Sequence, residues 1–338
     1  MSRPKPRGES DTAMDAKIRE VWPGIFLIHL PLPMRPTIVN VFLLHSGDEW
    51  ALIDTGVNST DSIQTFEAAL RAVGCPPARI KNLICTHHHP DHFGTSKAYK
   101  ELTGARLHMH RAEYERAHMF APQERPAEAV SFFYASGIPI DRFMRVPTPH
   151  EFWAGLYVTA KPDAFLEDGD VLRIGDFEVE VIWTPGHSPG HCVLYLRRQK
   201  VMIVGDHLLP KITPHVGYFP GGADDPLGDF LDSQRKVQRF DVSMVLPAHG
   251  GVYADHRHRA NQIIQHHDYR MREMLDFIRH APHTGYEVAT HAFALDADSP
   301  LTVQFPATFE TLAHLEHLRH RGLVEKETRN ERIYYRAR

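Results

Sequence analysis

The densest chemistry in this 338-residue chain lies at Thr86-His87-His88-His89-Pro90-Asp91-His92. There His87, His89, Asp91 and His92 fall at the spacing His-x-His-x-Asp-His, so imidazoles and a carboxylate crowd one short loop. Three more metal-ligand types follow at long separations, His187, Asp206 and His249. Imidazole nitrogens and hard carboxylate oxygens suit zinc, and five His with two Asp suffice for two ions with three or four protein ligands each. Two such ions about 3.5–4 Å apart can share a bridging hydroxide, because metal binding lowers the pKa of water from near 15.7 to about 7. That nucleophile attacks an ester, thioester, lactone or phosphodiester centre while a metal stabilises the developing oxyanion.

For seven side chains so far apart in sequence to meet, rigid elements must end at each of them. The apolar run Leu83-Ile84-Cys85 reads as a buried strand that delivers the His loop. Strands are predicted likewise at 25–30, 39–44, 50–53 and 105–109 in the first part, and at 171–174, 177–183, 192–196, 201–204 and 244–246 further on. His187, Asp206 and His249 each lie just past one of the later strands. Gly186 and Gly205 allow sharp turns beside these ligands, and Pro185 and Pro247 stiffen the approach. Helical spacing of Ile63, Phe66, Ala69, Leu70 and Val73 predicts a helix over 60–73, and a second is predicted over 93–102. Leu227, Phe230, Leu231, Val237 and Phe240 mark another. Asp54 ends a strand as either a turn cap or a group that orients the metal loop. The order is that of an α/β fold, with two similar halves, 21–110 and 165–250, expected as two sheets face to face with helices outside. Residues 111–165 interrupt it with Phe132, Phe133, Tyr134 and several prolines, an insertion that reads either as a substrate-binding wall or lid or as packing at the edge of the core.

The Asp54 strand end, His87-x-His89-x-Asp91-His92, His187, Asp206 and His249 together resemble the metallo-β-lactamase superfamily over roughly 21–255. The resemblance implies a four-layer αβ/βα sandwich with the metals at the edge between its sheets. It implies that His87, His89 and His187 bind one metal, that Asp91, His92 and His249 bind the other, and that Asp206 bridges them. Asp91 would also act in catalysis, orienting the hydroxide and shuttling a proton to the leaving group. His88 is expected to point away from the metals, and His191 and His207 to stand behind the ligands or in the core. With Asp91 and His92 both present, the chain is similar to the glyoxalase II and thioesterase branch. Two zinc ions are the expected cofactors, with iron or manganese as alternatives. A mononuclear iron site of the persulfide dioxygenase kind needs only two His and one carboxylate, such as His87, His187 and Asp206.

Beyond residue 255 a helix is predicted up to 280, a capping box at Thr284-Gly285-Tyr286-Glu287, and a helix over 308–321. Two short strands, 323–327 and 331–335, then pair across Thr328-Arg329-Asn330, which is the plan of a winged helix. Arg319, Arg321, Lys326, Arg329, Arg332, Arg336 and Arg338 could face nucleic acid there, but Glu316, Glu325, Glu327 and Glu331 dilute the patch. Three domains are therefore expected: a disordered leader over 1–17, a catalytic domain over 18–255 and a helical linker with a winged-helix-like domain over 256–338. A net charge of -4 gives no general pull toward nucleic acid or an anionic membrane, and no run is long and apolar enough for a spanning helix. Cys75, Cys85 and Cys192 are too few and too scattered for a disulfide framework. The expectation is a cytoplasmic di-zinc hydrolase of a thioester or ester, acting on a small-molecule acyl-carrier or lactone substrate. The alternative is a metal-dependent endoribonuclease, and the small C-terminal domain could instead serve as a homodimer contact. His215, Tyr218 and Phe219 are candidates for substrate contact.

Overall fold

The computed structural model describes residues 17–118, 127–296 and 298–338, so the expected leader lies outside it apart from Lys17, as do residues 119–126 of the insertion. The first sheet opens as an antiparallel meander of β1 (Ile18–Trp22), β2 (Ile25–Pro31), β3 (Ile38–Ser46) and β4 (Glu49–Ile53). Helix α1 (Thr60–Ala72) carries the chain to β5 (Ile80–Ile84), which lies parallel to β4. The Ser59 hydroxyl accepts from the Ser62 N–H and satisfies one of the first-turn donors of α1. After β5 come α2 (Pro90–Phe93), α3 (Ser96–Thr103) and β6 (Arg106–His110). The described part of the insertion holds short helices, α4 (Arg111–Ala117), α5 (Ala127–Ala135), α6 (Ile140–Phe143) and α7 (Pro149–Phe152), before β7 (Ala164–Leu166) closes a seven-stranded sheet.

The second sheet repeats the plan. Strands β8 (Val171–Ile174), β9 (Phe177–Trp183), β10 (Cys192–Leu196) and β11 (Val201–Gly205) form an antiparallel run. Helix α8 (Pro226–Val237) then crosses to β12 (Met244–Pro247), parallel to β11. Each sheet thus follows its antiparallel run with a parallel β-α-β crossover, β4-α1-β5 in the first and β11-α8-β12 in the second.

Side-chain alternation sorts the layers. On β3, Phe42 and Leu44 enter the core between the sheets, while Val39, Val41 and Leu43 face α1 and α3 with Phe66, Leu70 and Tyr99. On β11, Val201 and Ile203 face the first sheet, whereas Met202 and Val204 pack against Leu227, Phe230 and Leu231 of α8. The result is the four-layer αβ/βα sandwich.

After β12 the chain forms α9 (His256–Phe277), β13 (His283–Thr284), α10 (Gly285–Ala292), α11 (Leu301–His320), β14 (Val324–Arg329) and β15 (Arg332–Ala337). The capping box at Thr284 and Glu287 is formed. Ile263, Met274, Val288, Leu312, Leu315 and Tyr335 belong to the same hydrophobic cluster as Met202 and Phe230, so these helices extend the outer layer of the second sheet.

Four local expectations change. The helix predicted over 93–102 is two helices, because the break between them bonds outward: Thr95 N–H donates to the Gly56 carbonyl, and the Gly94 carbonyl accepts from the Val158 N–H. Helix α11 starts at Leu301 instead of residue 308 and runs through Pro306, which lies past the first turn and removes one intrahelical donor. The C-terminal hairpin turns at Asn330-Glu331, both at positive φ, instead of across residues 328–330. Strands β1, β7 and β13 carry too little period-2 pattern to be predicted, and pairing to a neighbour makes each of them.

Candidate metal centre

The parallel strands and their neighbours end together at one edge of the sandwich. Asp54 follows β4, the His loop follows β5, His187 follows β9, Asp206 follows β11 and His249 follows β12. All seven residues expected as ligands come together there. One group is His87, His89, His187 and Asp206, the other Asp91, His92 and His249, with ligand atoms in each within 4.8 Å of one another. Asp206 lies between them, its Oδ2 at 3.7 Å from His187 Nε2 and its Oδ1 at 3.6 Å from His92 Nε2 and 3.5 Å from His249 Nε2.

The far side of each ring decides which nitrogen faces inward. His187 Nδ1 donates to the His215 carbonyl at 2.7 Å, and His249 Nδ1 to the Ile38 carbonyl at 2.9 Å. His92 Nδ1 donates to Asp54 Oδ2 at 2.8 Å. In the neutral tautomer all three then present an Nε2 lone pair to the centre. Asp54, held at φ 63, also accepts from Thr86 N–H at 2.8 Å, so it orients the metal loop and is no mere turn cap. His191 stands behind Asp206: its Nε2 accepts the Asp206 N–H at 3.2 Å, and its Nδ1 meets Thr184 Oγ1. His207 is fully buried beside Phe230, and burial pushes it down to about 3.

These atoms fit divalent cations. His89 Nδ1 lies 3.0 Å from both His87 Nε2 and His187 Nε2, so three ring nitrogens converge on one point. Among the described residues, His92 Nε2 and Asp206 Oδ1 are buried without a hydrogen bond. The inward separations of 3.0 to 3.7 Å bracket the roughly 3.3 Å between ligand atoms on a tetrahedral ion with bonds of about 2.0 Å. Burial holds His87 and His89 well below the usual imidazole range, in the neutral ligand form. Burial also opposes charge on His92 and His249, but Asp91 and Asp206 outweigh it, raising His92 and bringing His249 to about 9. The carboxylates demand positive charge here, which protons supply when cations do not.

Residues 34–249 match the sequence model of the metallo-beta-lactamase superfamily. The chain belongs to this superfamily. A metallo-beta-lactamase family protein from Thermus thermophilus is 31% identical, with a TM-score of 0.82 over 94% of this chain and 100% of that one. A beta-lactamase domain protein from Burkholderia ambifaria gives 0.86 at 26% identity, over 97% of each chain. The human acyl-coenzyme A thioesterase MBLAC2 is 27% identical over 245 residues, 69% of this chain and 81% of the human protein. Superfamily membership makes the chain a candidate metal-dependent hydrolase, and divalent metal is what such proteins usually bind.

Two groups around the centre escape sequence reading. Glu113 is fully buried against His88, and Tyr157 donates its hydroxyl to the His88 carbonyl at 2.8 Å. In sequence Glu113 is an ordinary acidic residue in the first turn of a helix, and nothing local marks its partners. His88 turns toward Glu113 and away from the ligand atoms, as expected. His215 takes part through its carbonyl, while its ring Nε2 meets the Pro306 carbonyl of α11 at 2.9 Å.

Proposed function

We propose that the chain is a binuclear metal-dependent hydrolase of acyl thioesters or related esters. The observation that carries this is Asp206, whose two oxygens face two separate groups of ligand atoms. His87, His89 and His187 would hold one ion and Asp91, His92 and His249 the other, with Asp206 on both; zinc suits this donor set. When bound, the ions supply an acidified water as nucleophile and Lewis-acid stabilisation of the oxyanion. Asp91 keeps a side chain 21% exposed, with Oδ2 at 3.2 Å from His249 Nε2. It is the chain's group for orienting the attacking water and passing its proton to the leaving thiol.

An aromatic wall supports an apolar acyl group. Leading away from His215, Phe219 packs on Phe309 of α11 at 4.5 Å, and Phe133 of the insertion meets the same ring at 5.3 Å. Tyr218 faces Phe132 at 6.2 Å. The acyl-coenzyme A thioesterase name of the human relative agrees with this substrate class. The endoribonuclease reading finds less support, because four of the C-terminal cations pair with acidic neighbours: Arg319 and Lys326 with Glu316, Arg329 with Glu327 and Arg338 with Glu325.

The test is a panel of acyl thioesters of increasing chain length with zinc-loaded protein. Turnover that vanishes in His89→Ala is expected. Absence of hydrolysis on every ester, thioester and lactone, beside cleavage of single-stranded RNA, would reverse the two readings.

A further inference from the structure

One buried carboxylate joins the two loops of the first ligand group, and the hydrolytic chemistry does not use it. Glu113 Oε2 accepts from the His88 backbone N–H at 2.8 Å and pairs with His88 Nδ1 at 2.5 Å. Its Oε1 accepts from the Gly190 N–H at 2.5 Å. Residue 88 lies between the ligands His87 and His89, and residue 190 lies three beyond His187. A single side chain therefore ties a loop of the first sheet to a loop of the second.

The surroundings give this tie little slack. A β-carbon on residue 190 would lie 2.3 Å from His110 Nδ1 and 3.0 Å from Glu113 Cγ, so the start of α4 closes directly on the His187 loop. The His110 ring stacks on Trp183 at 5.8 Å, and Trp183 Nε1 donates to the Pro189 carbonyl at 3.0 Å. On the opposite side Tyr157 holds the His88 carbonyl. The second group is anchored elsewhere, His92 on Asp54 and His249 on the Ile38 carbonyl.

We propose that Glu113 is a positioning residue for the first ligand group, fixing the span between the His87/His89 loop and the His187 loop and so setting that group's affinity for its cation. The inference rests on the metal-site reading above. Outer partners that orient metal ligands typically contribute about 10–100-fold in affinity or activity, and here the orientation acts on two backbone segments at once.

The test titrates chelator-stripped protein with zinc against a chromophoric competitor, in wild type and Glu113→Gln, with thermal melts of both. Gln keeps the size but sets an NH2 group against either the His88 or the Gly190 N–H, so one loop loses its acceptor. The expected result is one zinc equivalent weakened about 10–100-fold with the other unchanged, and a fall in kcat with little change in KM. A folded Glu113→Gln with both equivalents unchanged, or both weakened alike, overturns the proposal. Should Glu113→Gln not fold, Glu113→Asp keeps the carboxylate but draws it back by one methylene from the His88 and Gly190 N–H groups. The same selective weakening is then expected, and unaltered zinc affinity overturns the proposal. The titration uses no substrate, so a chain that hydrolyses no thioester but loses one equivalent keeps this inference and discards the substrate reading. A wild type that binds no zinc ends both.

Discussion

Asp206 at the edge of the sandwich and Glu316 among the C-terminal helices are both carboxylates taken out of water, and their surroundings answer the charge in opposite ways. Glu316 accepts from Arg319 Nε at 2.5 Å, from Lys326 Nζ at 2.9 Å and from the Tyr335 hydroxyl at 2.8 Å. Its charge is met by the chain's own cations, at hydrogen-bond distance. Asp206 faces imidazoles at 3.5 to 3.7 Å, and its Oδ1 makes no hydrogen bond among the described residues. Its charge is met by protons that it draws onto His92 and His249 when no cation is bound, so the cluster takes its positive charge from solution. One carboxylate locks a helix to a hairpin, and the other faces two groups of side chains that could hold a metal ion.

The comparison breaks most directly at the metal side. His89→Ala removes the ring whose Nδ1 touches both His87 and His187. Lewis-acid stabilisation is worth several kcal/mol, so kcat on an acyl thioester should fall by roughly a thousandfold or more. A variant retaining most of its turnover would deny the first group any part in the chemistry.

Metal removal comes next. Zinc at a thousandfold excess over its Kd stabilises the folded state by about 4 kcal/mol. A chelator should therefore lower Tm by several degrees, and added zinc should restore it. An unchanged Tm would mean that Asp206 is compensated without a cation.

Asp54→Asn acts on the second group through His92 and on the foot of the His87/His89 loop through Thr86, whose hydroxyl meets His87 Nδ1. It takes the carboxylate from His92 Nδ1 and Thr86 N–H, and a loss of about 10–100-fold in zinc affinity is expected. The larger loss is expected at the equivalent that Glu113→Gln leaves intact, because only His92 bonds Asp54 directly, so combining the two variants sharpens the division of the site.

The smallest effect belongs to the internally matched carboxylate. Burial opposes the charge on Glu316, but Lys326, Arg319 and Tyr335 hold it below its ordinary value of 4.5. A lowered folded pKa gives stability that is present above 4.5 and lost as pH falls through the lowered value. Because Arg319 and Lys326 are about one-third exposed, Glu316→Gln should cost only about 1 kcal/mol at pH 7. That difference from wild type should shrink in melts below pH 4.5. Metal occupancy should not respond at all.

Much of the site was legible before folding, since ligand chemistry resides in residue type and short spacing. His87, His89, Asp91 and His92 share one loop, and the apolar runs before His187, Asp206 and His249 mark strand ends. The helix break at Gly94-Thr95 was not legible, because it is decided by partners distant in sequence, Gly56 and Val158.

The sequence by itself determined the donor set and the two-sheet plan, through alternating apolar strands that end in imidazoles and carboxylates. Only the tertiary structure decided how those donors are aimed. Asp206 faces two groups at once, Glu113 reaches from α4 to both loops, and the C-terminal helices cover the second sheet while Phe309 joins the wall beside His215. The reason is range: a strand and its ligand are set by neighbouring residues, whereas the span between two sheets exists only once both have packed.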